Sequence, residues 1–162
     1  MVWLFVSIAV VFVLAARLFV GYPPRPEGLR VLNNREAALV AAAAEAMFPR
    51  GGAIAESGVD AGVVAYFDDQ IDHITQKNRR LIRLLLVFIE LFPVFFSRYA
   101  RRFTRLSVEQ QMRVLAAAGE SRQYFFRLTF LSLRSLLCLG YFANAHVNAQ
   151  LESTPNARPF AP

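Results

Sequence analysis

One cysteine, Cys138, is the entire thiol content of this sequence. That excludes an internal disulfide, and without a CxxC or CxxCH pair nothing suggests a metal clip or c-type haem attachment. Cys138 lies in an apolar run and reads as a small core residue. There are two histidines, His73 and His146, and no HExxH. No GxGxxG, P-loop or GxSxG is present, so nothing supports catalysis by this chain. Alternating strand patterns and internal repeats are lacking too, which leaves an all-α class. Acidic residues are fewer than basic ones, 12 against 18, for a formal charge of +6, and Lys77 is the one lysine. No zinc-finger spacing, ribonucleoprotein motif or basic tail accompanies that charge, so nucleic acid is not an expected partner.

Apolar residues, by contrast, are in excess: 56% of the 162, against about 45–50% in soluble domains. The first excess is at the start. "MVWLFVSIAVVFVLAARLFVGY" has no charge before Arg17 and is long enough, at ~1.5 Å per residue, to cross a bilayer. Trp3 and Tyr22 stand at the two ends as interfacial aromatics, Phe5 and Phe12 face lipid, and the Arg17 stem can snorkel. With no base before the span and Arg17, Arg25, Arg30 and Arg35 at its end or after it, the positive-inside bias predicts a single-pass protein with its helical domain in the cytoplasm. No positive charge opens the segment, so it reads as a retained anchor rather than a signal peptide.

The expected organisation is an anchor at 1–22, a Pro-rich linker at 23–32, a helical domain of about five helices at 33–148 and an extended tail at 149–162. Asn33 or Asn34 caps a first helix that stops at Pro49. A second spans Asp60–Thr75, with Asp68, Asp69, Asp72 and His73 largely on the side away from the apolar stripe. These four read as a solvated acidic face rather than a metal site. His146 has no acid or nucleophile motif beside it.

A third helix begins near Asn78, and Pro93 should kink or end it. Its run from Leu81 to Phe96, broken by Arg83, Glu90 and Pro93, is too short and too charged to span a membrane. It reads as a central bundle helix, as does a last long helix capped by Ser121 and ending at Gly140. "SVEQ" at Ser107 is a capping-box signature for the helix between them. Phe88, Phe92, Phe95, Phe96, Tyr99 and Phe103 form an aromatic ladder that reads as core or interface packing ahead of a quinone or other apolar channel. The expected contact surface for a partner or membrane combines Phe92, Phe95 and Phe96 with Arg98, Arg101, Arg102 and Arg105. For the arginines, a membrane face, an acidic partner and plain solvent stand as equal alternatives. So small a chain cannot cover two such apolar helices alone.

The segments "EAALVAAAAEAMFPRGG", "ESGVDAGVVAYFDDQI" and "LLCLGYFANAHV" resemble the gluconate 2-dehydrogenase subunit 3 family over roughly Asn33–Val147. The resemblance implies a non-catalytic helical subunit that accompanies a large flavin dehydrogenase of the glucose–methanol–choline type, sometimes with a cytochrome c. FAD is then expected in the partner, with no cofactor in this chain. Relatives typically carry a twin-arginine export signal; here the anchor takes its place. The alternative expectation is a structural subunit of another membrane complex, respiratory or photosynthetic.

Overall fold

The computed structural model describes residues 21–51, 54–96, 99 and 101–153, apart from the side chains at 95 and 96. The expected anchor, with Trp3, Phe5, Phe12 and Arg17, lies outside the described residues, as do Arg98 and the side chains of Phe95 and Phe96.

Six α-helices and one 3₁₀ turn make up the described residues, with no strand among them. They are α1 Asn34–Met47, α2 Val63–Asp72, α3 Gln76–Phe96, the turn Phe103–Arg105, α4 Val108–Gly119, α5 Tyr124–Phe142 and α6 Ala145–Ser153. Two starts follow from local chemistry. The Asn33 side chain accepts from the Glu36 N–H at 2.9 Å while Glu36 accepts from the Asn33 N–H at 3.1 Å. Ser107 and Gln110 form the same reciprocal box at α4.

α1 is the hub, packing on α2, α3, α4 and the 3₁₀ turn. Its buried residues are mostly small: Ala37, Ala43, Ala44 and Ala46 beside Leu39 and Val40. Small side chains let neighbours approach closely, and Gly58 uses that space. Its N–H donates to the Phe48 carbonyl at 2.9 Å, and a Cβ there would lie 2.5 Å from the Ala44 carbonyl oxygen. α2 starts after Gly62, whose φ of +76° favours a residue without a Cβ. α5 crosses the other side, touching α2, α3, α4 and α6. The core joins Phe67, Leu86, Ile89, Phe92, Phe103, Leu133 and Leu137.

Several expectations are corrected. α3 runs through Pro93 to Phe96. The proline lacks the N–H that would bond to the preceding turn, a loss the helix tolerates here, and it is buried beside the fully enclosed Phe92. α5 is preceded by Gln123, which gives no side-chain cap bond; Ser121 instead accepts from the Gln123 N–H, and the helix passes Gly140. α6 reaches Ser153, so the expected tail begins as helix.

The linker is not free either. Leu29 and Leu32 are buried, and Asp68 accepts from the backbone N–H groups of Arg30, Val31 and Leu32 at 2.7, 2.9 and 2.7 Å. Asp68 is therefore an interior latch rather than part of a solvated face, because three otherwise unpaired donors converge on it.

Candidate docking surface

The face of α3 turned toward α1 and the chain's beginning carries Arg79, Arg83 and Glu90. Arg79 pairs with Asp72 at 3.5 Å and Arg83 with the buried Glu36 at 3.3 Å. Glu90 is 2% exposed. Its Oε1 accepts from the Tyr22 hydroxyl at 2.8 Å and the Thr104 hydroxyl at 2.7 Å, and Arg102 Nε stands 3.7 Å away. Arg102 Nη2 donates to the Gly21 carbonyl at 2.9 Å, and the guanidinium lies 3.9 Å over the Tyr22 ring. This stacking places a cation on the ring's negative face.

The result is a clamp on Gly21–Tyr22. Burial pushes the Glu90 carboxyl above its ordinary range; the two hydroxyls and Arg102 pull it back only in part. Asp68 behaves oppositely. Burial raises it, but three backbone donors outweigh that and hold it below the usual range.

The clamp bears on three expected roles. Tyr22, expected as an interfacial aromatic, packs against Glu90 and Arg102 of the domain. Arg102 was placed on a contact surface, yet it is buried, since its charge is spent on Glu90, Gly21 and Tyr22. Phe92 is fully enclosed and meets Phe126 edge-on at 5.9 Å, so it too leaves the contact surface. Arg101 and Arg105 are exposed. Of the acidic group, Asp69 and His73 sit one turn apart and exposed, and no cluster of three metal-ligating side chains occurs among the described residues. His146 is exposed, with its N–H on Asn144.

The uncovered apolar surface lies elsewhere. On α5, Tyr124, Leu128, Leu131, Leu139 and Phe142 are all exposed, with Ser135 on the same line. The steps of four, three, four, four and three make one stripe along a helix ~28 Å long. α5 is the one described helix long and apolar enough to cross a membrane, and only 28% of that stretch is buried within the domain. It nevertheless lies along the bundle: Thr129, Leu133, Leu137, Gly140 and Tyr141 are buried against it. Carrying Arg127 and Arg134 through a bilayer centre would cost about 2.5–3.5 kcal/mol each. α5 was expected as a central bundle helix that so small a chain could not fully cover, and one of its sides is open.

The two halves of the stripe differ. Toward its C-terminal end, Tyr66, Ser135, Cys138, Leu139, Phe142 and Ala143 line an open groove of about 600 Å³. Cys138 is thus half-buried at a groove wall. The N-terminal half joins α3 through the Phe88–Phe125 ring contact at 4.9 Å. There α3 shows Leu84, Val87, Leu91 and Val94 at steps of three and four, with Leu84 and Val94 52% and 55% exposed. The sequence marked both helices as apolar, but which side faces outward follows only from their packing.

What the fold and surface define is a small all-helical domain that fastens its own incoming chain and leaves one apolar side open. The family model of gluconate 2-dehydrogenase subunit 3 matches residues 34–153. The chain belongs to that family. Searches of curated proteins and of solved structures returned no match.

Proposed function

We propose that this chain is a non-catalytic, membrane-anchored accessory subunit that docks or stabilises a large flavin-dependent dehydrogenase of the glucose–methanol–choline type. The family match over 34–153 carries the reading. The groove beside α5 supports it physically. Its concave apolar lining by Tyr66, Leu139 and Phe142 suits the insertion of a partner's side chain, the usual anatomy of an interface centre. In this reading FAD belongs to the partner, and the residues before Gly21 anchor the assembly. The arginines that follow the apolar segment support a domain on the cytoplasmic side.

Affinity purification of the full-length chain from its native membranes tests the proposal. A large subunit with flavin absorbance is expected in fixed ratio, and Leu139→Asp with Phe142→Asp should release it. Recovery of the chain alone, or with a flavin-free assembly, overturns the reading.

A further inference from the structure

The groove accounts for one half of the open side. The other half has a different border. It comprises Leu84, Val87, Leu91 and Val94 on α3, and Phe125 and Leu128 on α5. Phe88 and Phe125 close the seam between the helices. Exposed bases border these two helices: Lys77 and Arg80 at the start of α3, Arg122 just before α5, and Arg101 and Arg105 after α3. α5 has no acidic residue, and the one acid of α3, Glu90, is buried and engaged in the clamp. Among the described residues the exposed acids lie elsewhere: Asp60, Asp69 and Asp72 on α2 and the turn that leads into it, Glu27 on the entering segment, Glu109 and Glu120 at the two ends of α4, and Glu152 on α6.

We infer that this α3–α5 face lies on the surface of a bilayer rich in anionic lipid, with its apolar residues dipped below the headgroups. Three observations choose lipid over another occupant. An apolar patch that itself carries no acid and is bordered by five exposed bases matches an anionic interface. The face is held parallel to the domain surface by its buried side, which suits lying in the interface rather than spanning it. Finally, Glu90, beside Val94 in the register of α3, holds Tyr22, so the strongly apolar stretch before Gly21 starts at the border of this same face.

The inference rests on the membrane part of the proposed function, and the test separates the two. The full-length chain carrying Trp3→Phe is given one tryptophan at a time, by Leu84→Trp, Leu128→Trp or Asp69→Trp. Each is reconstituted in vesicles of phosphatidylcholine and phosphatidylglycerol containing bromine-labelled acyl chains. Strong quenching is expected at 84 and 128 and none at 69. Without phosphatidylglycerol the quenching should fall about two-fold or more, since each surface base contributes to the attraction.

Vesicle-bound chain with 84 and 128 unquenched overturns the α3–α5 assignment and leaves the anchor standing. Chain that fails to float with vesicles overturns both. A photo-crosslinker at 84 in native membranes should yield lipid adducts; adducts to the dehydrogenase or to a second copy of this chain would overturn the inference.

Discussion

Asp68 and Glu90 are both buried carboxylates, and both hold the segment that enters the domain, yet their environments push them in opposite directions. Asp68 meets three backbone N–H groups of Arg30, Val31 and Leu32, donors fixed by the chain itself. Its charged form is favoured despite burial. Glu90 meets two hydroxyls, from Tyr22 and Thr104, and an arginine at 3.7 Å, and its charged form remains disfavoured. Charge-assisted bonds from backbone amides compensate for lost water more fully than hydroxyls that also need to be oriented. The lesson is one of division of labour: Asp68 is a permanent latch, whereas the Glu90 clamp is held closer to balance.

The largest expected effect comes from removing the latch. Asp68→Ala orphans one buried and two part-buried N–H groups, each costing about 1–3 kcal/mol when buried, so a loss of about 4 kcal/mol is expected in urea unfolding of the full-length chain in detergent. Glu90→Ala should cost about 3 kcal/mol, because it leaves buried Arg102 and the Tyr22 and Thr104 hydroxyls without any acceptor. Glu90→Gln, which keeps an acceptor for the hydroxyls, should cost only about 1 kcal/mol. If the glutamine variant were as unstable as the alanine one, the clamp would depend on full charge and the contrast with Asp68 would vanish. Tyr22→Phe removes one hydroxyl and should cost about 1 kcal/mol, with faster tryptic cleavage after Arg30 as a second readout.

The smallest effect distinguishes the two acids by sign. With its folded pKa lowered, Asp68 contributes stability that is present above the unfolded carboxylate pKa and is lost as pH falls through the folded value. Glu90, with its folded pKa raised, contributes stability that is present below the unfolded value and is lost as pH rises through the folded one. Relative to the parent, Glu90→Gln should therefore remove a component that declines with rising pH across the acid range. An Asp68→Asn variant should remove one that declines with falling pH. Denaturation midpoints at a series of pH values would show both, and equal slopes would refute the assignment.

Some of this was readable before any coordinates. The capping box at Ser107, and a cap at Asn33 or its neighbour Asn34, stood in the sequence because a cap needs only residues three apart. Asp68 was misread because its partners lie more than thirty-five residues away. Beside Asp69 and Asp72, it looked like a third solvated acid. Arg102 was grouped with Arg101 and Arg105 by spacing alone, while its Glu90 partner is across a turn and its Gly21 partner 81 residues back. Pro93 was expected to kink or end its helix, and the helix does not end there but runs on to Phe96. The α5 groove had no linear signal: Tyr66 comes from α2 and meets the helix only because Gly140 has no Cβ to hold it off.

By itself the sequence determined the all-helical class, the family and the surplus of apolar helix, because periodicity, caps and composition are properties of neighbours along the chain. Tertiary structure alone decided which acids went inside, which arginine became a clamp and which side of α5 stayed open. Those choices depend on what distant segments bring within a few ångströms, and burial, unlike helix propensity, cannot be summed from local residues.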